Sequence, residues 1–496
     1  MKKSNITKSI IILCCSLGIT TAKAQFVQSA KVVSDNRESR AEFGTSVAIN
    51  DDFAIVGASR ETFVEGAAYI YEKDPQGNWN FSQRLTAFDP NEGAEFGGGA
   101  KFSDDYLVVA AGRADVNGLQ RTGALYIYEN QNNSWDFSTK LVASDPTGDA
   151  KLGMNPTSLD VEGNTIVAGA PGDNIWTGAA YVFTKNGGTW EETQKIVSPS
   201  PQASDVFGIG VSISGDYLAI GASEVDGRKG AVYMYLKDIN GEWVYLETLV
   251  ASDASNDSFF GSSVSLSGDQ LVVGAYGTNL EEGAAYVFEK DPQGVWIEVQ
   301  KLTGNSSTEP AHFGWSTDIQ PNYISVSAPH IFGFEPGEIY FYKKDNNGTW
   351  VEDQVFAGND TVGEDFYGWS VEMDENQLIV GAPWEDHDVN GGNEIDRAGS
   401  AYIFNNPNIL GGITNNYIDA FTVYPVPARN TITIEAINLI SNINIINQLG
   451  MTIKSVSVAS SKEYTLDIST LATGVYYIDV YNMDGKRSTR KIVKMN

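Results

Sequence analysis

The longest loop of this sequence contains oxygen-bearing side chains at a spacing typical of metal binding. Asp386, Asp388 and Asn390, followed by Gly391, alternate ligands as calcium-binding loops do. The bidentate glutamate that would complete such a loop is missing, because Arg397 occupies the twelfth position. Two interpretations stay open, a calcium site at these three residues or a loop that is merely polar. No other cofactor is indicated.

Large aromatic side chains lie in or beside loops whose length varies along the chain. Such rings stack on sugars or anchor protein partners when they are exposed. We predict that the ligand-binding residues come from this set: Trp176, Tyr276, Trp315, Phe332, Phe334, Trp369 and Trp384. The alternative is that these rings pack between structural units or fill the mouth of a channel.

The titratable side chains give little support for catalysis. His312, His330 and His387 lie outside any recognisable nucleophile or zinc motif. The two cysteines, Cys14 and Cys15, both fall in the N-terminal segment. Carboxylates are numerous, so their number is compatible with a glycosidase-like pair, but no pair stands out by position. We therefore predict no catalytic residues.

These residues are carried by a unit that recurs seven times. The copies are aligned on a dipeptide that ends in Gly, and they are spaced by 53 to 56 residues. They begin at Phe43, Phe96, Leu152, Phe207, Phe260, Phe313 and Tyr367. Each copy has short β-rich runs bounded by turn residues, and most have a tryptophan at the start of the last run. This pattern predicts four antiparallel strands per copy.

Isolated four-stranded sheets of this kind cannot bury both faces, whereas radial stacking buries them and protects their edges. We predict an all-β fold with a seven-bladed β-propeller over residues 25–404. The seventh copy lacks its last strand, and residues 26–44 match residues 79–97, with Phe26 at the position of Trp79. The N-terminal strand is therefore expected to complete the seventh blade and close the ring.

The repeated motifs resemble a known family. Phe207-Gly208, and Ala382-Pro383 after a glycine, resemble the FG-GAP repeat of integrin α-subunit propellers and their bacterial relatives. The resemblance covers residues 26–404 and implies a seven-bladed propeller used in extracellular recognition. Calcium-binding members carry a longer acidic loop between the first two strands. Turns such as Asp51-Asp52 are too short to surround the ion, so we do not expect the family's calcium sites there.

The N-terminal segment predicts export. Lys2 and Lys3 precede a short apolar run over residues 10–19, and Ala22-Lys23-Ala24 offers a cleavage site. We predict a signal peptide over residues 1–24, with a membrane anchor as the alternative. No later stretch is apolar and long enough to span a membrane, so the mature chain is expected to have no transmembrane segment.

The C-terminal end predicts a separate domain. A turn-rich linker (405–416) is followed by residues 417–496, whose strand-like runs predict a small β-sandwich. Tyr424-Pro425, residues 447–450 and residues 491–494 resemble the type A sorting domain of the type IX secretion system. The resemblance implies Sec export, passage through the outer membrane by the type IX machinery, and release or surface anchoring. A generic β-sandwich binding module is the alternative.

Strand alternation places the variable loops, those between strands 2 and 3 and between strands 4 and 1, on one face. Variable loops on a rigid scaffold are where binding residues concentrate. We predict a secreted or cell-surface binding or adhesion propeller that recognises a glycan or protein through this face. A secreted propeller enzyme acting on polysaccharide and a structural surface-layer component stay open. The net charge of −30 disfavours nucleic acid as a partner.

Overall fold

The computed structural model describes residues 26–103, 106–131, 134–305, 310–331, 333–374, 376–406, 421–424, 428–446, 452–482 and 487–495. The predicted signal peptide (1–24) and residues 407–416 of the predicted linker lie outside these ranges. Contacts divide the chain into a large unit, Gln25–Asn406, and a second unit that contains Pro407–Asn496.

The large unit consists mainly of short antiparallel strands. In chain order they are β1 (Val27–Val32), β2 (Phe43–Ile49), β3 (Phe53–Ala58), β4 (Ala67–Lys73), β5 (Trp79–Leu85), β6 (Phe96–Phe102), β7 (Tyr106–Ala111), β8 (Ala124–Gln131), β9 (Ser134–Leu141), β10 (Leu159–Glu162), β11 (Thr165–Ala170), β12 (Ala179–Asn186), β13 (Thr189–Ile196), β14 (Val211–Ser214), β15 (Tyr217–Ala222), β16 (Ala231–Lys237), β17 (Trp243–Leu249), β18 (Ser263–Ser267), β19 (Gln270–Ala275), β20 (Ala284–Lys290), β21 (Trp296–Leu302), β22 (Thr317–Gln320), β23 (Tyr323–Ala328), β24 (Glu338–Lys344), β25 (Trp350–Phe356), β26 (Ser370–Asp374), β27 (Gln377–Ala382) and β28 (Ser400–Asn405). Single turns whose inner residues have positive, left-handed φ angles lie in four loops, α1 (Glu61–Val64), α2 (Asp173–Trp176), α3 (Val225–Arg228) and α4 (Thr278–Glu281), and a 3-10 turn spans Pro156–Ser158.

These strands form seven four-stranded sheets. Six sheets each take four consecutive strands, from β2–β5 through β22–β25, and the remaining sheet has the order β1-β28-β27-β26. The first strand of each sheet contacts the first strand of the next, and β26 contacts β2. Repeated four-stranded sheets that pack side by side in this way are consistent with a propeller.

The N-terminal strand occupies the position of a fourth strand. β1 pairs antiparallel with β28, and Lys31 lies opposite Tyr402. In the sheet β6–β9, Lys140 of the fourth strand lies opposite Tyr126 of the third. The pairing therefore has the register that follows from aligning Phe26 with the repeated tryptophans.

A glutamine joins the fourth strands of several neighbouring sheets. The Gln83 side chain donates to the carbonyl of Trp135 and accepts from its N–H, both at 2.9 Å. Gln354 makes the same pair of hydrogen bonds to Phe26, at 3.0 and 2.7 Å. The backbone of Phe26 therefore makes the same two hydrogen bonds to a neighbouring glutamine as the backbone of a repeat tryptophan does.

The apolar core lies between the sheets, where two glycines let the backbones touch. A Cβ atom at Gly57 would lie 1.9 Å from the carbonyl oxygen of Gly97 in the next sheet, and one at Gly381 would lie 2.0 Å from that of Gly44. Gly97 and Gly44 also have φ angles of +90° and +103°. Only glycine fits such a contact, which explains the glycines of both repeated motifs.

The second unit is also built from strands. They are β29 (Phe421–Tyr424), β30 (Thr431–Ile446), β31 (Thr452–Asp467), β32 (Gly474–Asn482) and β33 (Arg487–Lys494). β30 pairs with β29, β31 and β32, and β32 pairs with β33. Isoleucines such as Ile434, Ile443 and Ile478 fill its core. The strands predicted for a small β-sandwich are thus joined in one hydrogen-bonded network.

Candidate functional site

A cavity of about 210 Å³ opens where several first strands begin. Its lining includes Ile209, Ser262, Trp315 and Trp369. Each of these residues directly follows the glycine of the repeated dipeptide, just before β14, β18, β22 and β26 respectively. Equivalent positions of four successive copies therefore meet around one space, on the face that carries the variable loops.

A tight turn places paired side chains on this rim. The residue before the repeated aromatic has a positive φ in consecutive copies, 55° at Phe259, 56° at His312 and 55° at Phe366. Its carbonyl accepts a hydrogen bond from the residue after the glycine, as from Trp315 to His312 at 3.1 Å and from Trp369 to Phe366 at 3.0 Å. The same position has a positive φ in every copy, including 54° at Glu42 and 52° at Val206, so this turn belongs to the repeat and sets where the rim side chains lie.

Aromatic rings form a continuous wall along the cavity. The rings of Phe259 and Tyr276 stack with centroids 4.9 Å apart. Tyr276 contacts Trp315 at 5.0 Å and 54°, and Trp315 contacts Trp369 at 4.9 Å and 47°. Neighbouring rings tilted by about half a right angle cannot form one flat surface, so the wall is faceted. All four rings are half-buried.

The wall continues past the cavity to a guanidinium group. Phe366 stacks on Trp369 at 5.9 Å and on Trp384 at 4.1 Å. The guanidinium carbon of Arg397 lies 3.5 Å from the centroid of the Trp384 ring. The Trp384 ring therefore contacts Phe366 and Arg397, and Trp384 does not line the cavity.

Few of the side chains that line the cavity are polar. One of these polar side chains, that of Glu224, carries a negatively charged carboxylate. Among the described residues, none forms a hydrogen bond or ion pair with that carboxylate, and its residue is exposed. Burial raises the pKa of the Tyr276 phenol to about 12, and the charges of Glu224 and Glu281 add to this effect. The phenol is therefore neutral at pH 7, and the site combines aromatic faces with one negative charge.

The predicted ligand-binding residues separate into groups. Trp176, Tyr276, Trp315 and Trp369 come together around the cavity. Trp176 is 37% exposed, and the Lys151 ammonium lies 4.1 Å from its ring centroid. Phe334 is 82% exposed and is not part of the cavity lining. Phe332 lies outside the described residues.

The three residues of the calcium prediction form a backbone turn. The Asp388 Oδ1 atom accepts hydrogen bonds from the N–H groups of Asn390 and Gly392, at 2.8 and 3.1 Å. Asp74, in the turn between β4 and β5, makes the same pair of contacts two and four residues ahead. Asp386 accepts from the Arg397 N–H at 2.6 Å. Calcium binding here stays a prediction.

A charged cluster that the sequence analysis missed lies between the first strands. The cavity that holds it also measures about 210 Å³ and shares Pro156 and Thr157 with the aromatic cavity. Its charged side chains are Lys101, Asp160, Asp318 and Glu372. The first, third and fourth lie four residues after the repeated glycine, and Asp160 follows the three-residue insertion 155–157. The sequence signal that could have revealed this cluster is a charged residue at the position that Ala48 and Ser212 occupy in other copies.

Hydrogen bonds tie this cluster into the neighbouring strands. Asp318 accepts from the Ser265 hydroxyl at 2.9 Å and from the Met373 N–H at 2.7 Å. Glu372 accepts from Lys101. Burial raises the pKa of Glu372 to about 7 even though Lys101 opposes the shift. A carboxyl group that titrates near neutral pH can exchange a proton under physiological conditions.

The described ranges contain neither a metal-binding cluster nor a helix that could span a membrane. There, no group of three or more His, Cys, Asp or Glu side chains is arranged to hold a metal ion. His387 contacts the buried Glu385 carboxylate at 3.1 Å through Nδ1. None of the helical segments in the described part of the chain has the length and apolar character needed to cross a membrane.

Distant structural similarities connect the chain to several solved proteins. A protein from Lactobacillus plantarum is 11% identical, with 84% of this chain and 99% of that chain covered and a TM-score of 0.47. The periplasmic gluconolactonase of Pseudomonas aeruginosa is 16% identical, with 64% and 85% covered and a TM-score of 0.40. Sqt1 of Chaetomium thermophilum is 15% identical, with 75% and 86% covered and a TM-score of 0.43. None of the curated proteins compared with the chain matches it.

Two family models match the sequence itself. The model of the secretion system C-terminal sorting domain matches residues 422–495, which implies handling by the type IX machinery and export to the outer surface or beyond. The FG-GAP repeat model matches 26–71, 79–128, 135–183, 190–235, 243–288 and 350–404. Five matches begin at a repeat tryptophan and the first begins at Phe26. The chain therefore belongs to the FG-GAP repeat family and ends in a type IX sorting domain.

Proposed function

We propose that the seven sheets are the blades of a closed propeller whose loop face binds an extracellular glycan or protein at the aromatic cavity. The closure is supported by the pairing of β1 with β28 and by the Gln354 contacts of Phe26. It is also supported by the close approach of Gly381 to Gly44, which repeats that of Gly57 to Gly97.

One observation carries the binding proposal. Trp176, Tyr276, Trp315 and Trp369 belong to four different copies, yet all four line one cavity. Rings that only filled space between two blades would be used in pairs. A half-buried aromatic wall with few polar groups is the composition of sites that stack sugars or anchor a protein side chain.

Extracellular action is supported by the sorting domain at residues 422–495. We propose that the chain leaves the cytoplasm through a signal peptide at residues 1–24 and works in adhesion, released or anchored at the cell surface. The net charge of −30 keeps such a surface soluble and repels anionic lipid and nucleic acid.

A second candidate function is a secreted enzyme acting on polysaccharide. It is favoured by Asp318 and Glu372, whose pKa values are raised by burial, in the cavity next to the aromatic one. Paired carboxyl groups of this kind act as acid and base in glycoside hydrolysis. Against it, both groups already have strand-joining or ion-pair partners. In this case Glu372→Gln abolishes hydrolysis of a polysaccharide and leaves its binding intact.

The binding proposal is tested on a combined glycan and matrix-protein array. The chain is expected to bind a restricted set of ligands, and Trp315→Ala or Trp369→Ala is expected to weaken that binding at least tenfold. Such an aromatic residue at the centre of a binding site contributes about 2 kcal/mol or more.

Tyr245→Ala is the matched control, because Tyr245 is 44% exposed on β17, away from the cavity lining. It is expected to leave binding unchanged. Equal binding by all three variants would contradict the assignment of the cavity. Hydrolysis of a polysaccharide with no ligand retained on the array would favour the enzyme instead.

A further inference from the structure

The carboxylate at the aromatic cavity stands at a position where other copies carry a cation. Glu42 is paired with Arg60 at 3.3 Å, and Glu95 is paired with Arg113 at 3.1 Å. Glu224 follows the repeated Gly-Ala motif at the same distance as Arg60 and Arg113 do. Its copy therefore has a carboxylate where the first two copies have an arginine.

Arg228, a cation on the same turn as Glu224, is already engaged by another carboxylate. Arg228, four residues further on, forms an ion pair with Asp257 and lies 5.4 Å from the centroid of the Phe259 ring. The described residues supply the Glu224 carboxylate with no hydrogen bond or ion pair. The described residues therefore leave this exposed carboxylate, which lines the cavity, available to a bound cation.

Several aromatic rings line the same cavity as this charge, and such a combination suits an organic cation. Tyr276, Trp315 and Trp369 line one space and are tilted to one another by 54° and 47°, and Trp176 lines the space as well. Cations bind over such faces within about 6 Å of the centroid, and methylated ammonium groups are bound by several rings together. The chain already places Lys151 and Arg228 over the outer rings Trp176 and Phe259.

We propose that this cavity binds a methylated ammonium group, with the three rings surrounding the cation and Glu224 balancing its charge. The inference rests on the proposed binding function and narrows its ligand class to molecules that carry such a cationic group. A neutral sugar would gain the same stacking contacts, but it would leave Glu224 without a charged partner. The acidic surface also raises the local concentration of cations.

The test compares choline with its neutral isostere 3,3-dimethyl-1-butanol on the full exported chain, at low salt, by calorimetry and tryptophan fluorescence. Choline is expected to bind at least tenfold more tightly than the isostere. Glu224→Gln is expected to remove most of that preference, and Trp315→Ala is expected to remove binding of both probes. Glu191→Gln, an exposed carboxylate on β13, is the control and should change neither affinity.

Each outcome decides between the two proposals. Equal affinity for the two probes, or no choline binding at 100 mM, overturns the cation site. If the cation site is overturned but Trp315→Ala still weakens binding of an array ligand, the proposed binding function stands without the cation site. If Trp315→Ala changes no ligand's affinity, the proposed function fails as well.

Discussion

Removal of the Phe26 side chain is expected to destabilise the large unit strongly. Phe26 is 3% exposed, and its ring packs against Phe341 at 4.8 Å and Phe356 at 5.8 Å, both in the preceding sheet. A buried aromatic side chain covers about 150 Å² or more, which at about 25 cal/mol per Å² gives about 4 kcal/mol. Phe26→Ala should lower the free energy of unfolding by that amount, within the range typical of buried Phe→Ala changes.

Urea unfolding followed by tryptophan fluorescence measures this effect selectively. All 10 tryptophans lie within Gln25–Asn406, so the signal reports on the large unit. Alanine keeps the backbone hydrogen bonds with Gln354, so only packing is lost. Val27→Ala is the control, because Val27 is 56% exposed on the same strand, and its expected cost is below about 0.5 kcal/mol.

Amide hydrogen exchange along β28 provides a second readout. Ala30 and Lys31 pair with Ile403 and Tyr402, and these amides should exchange faster in Phe26→Ala because the strand that covers them is less firmly held. A loss of less than about 1 kcal/mol, together with unchanged exchange along β28, would refute the account of how the N-terminal strand is held.

Three further perturbations follow from the structure. The folded chain keeps a proton on Glu372 up to about pH 7, whereas the unfolded chain releases it near pH 4.5, so the free energy of unfolding should fall between these values. Glu372→Gln should flatten that part of the urea-derived pH profile, and an unchanged slope would argue against the burial of this carboxyl group. Leu280 is 92% exposed at φ 60°, where Gly227 stands in another copy, so Leu280→Gly should raise the free energy of unfolding by about 0.5 kcal/mol. Leu280→Ala retains the strained Cβ and should not stabilise, and equal stability of the two variants would count against strain. If Asp386, Asp388 and Asn390 bind calcium, millimolar calcium should raise the thermal midpoint of EDTA-treated protein and Asp388→Asn should abolish the rise. A thermal midpoint that does not change with calcium would contradict the calcium site and would show that Asp388 only stabilises the turn.

The repeat made much of the architecture predictable from the sequence. The position of Gly57 is glycine in five of the seven copies, with Ala110 and Ser327 in the other two, and a close backbone contact explains why glycine recurs there. The same comparison aligned Phe26 with the repeat tryptophans, and that alignment has the register of the β1–β28 pairing. Structural features that recur from copy to copy can therefore be predicted by comparing the copies within a single sequence.

Features that differ between copies were harder to predict. Which aromatic side chains meet depends on loop conformation, so Phe334 could not be distinguished from Trp369 by residue type and position alone. Among the residues that the structure describes, Glu224 has no ion-pair partner because Arg228 pairs with Asp257 instead. Which carboxylate an arginine contacts depends on its rotamer, and the local sequence does not show this. The sequence shows that Lys101 and Glu372 occupy equivalent positions on two first strands. That their side chains contact each other follows only from the packing of the sheets.

Oxidative footprinting of tryptophan, with and without the strongest array ligand, tests the central claim most directly. Trp176, Trp315 and Trp369 line the cavity, and their oxidation rates should fall several-fold when the ligand is bound. Trp79, which is half-buried and outside the cavity lining, should be oxidised at the same rate in both states. Protection of Trp79 with no change at the three cavity tryptophans would contradict the assignment of ligand binding to this site.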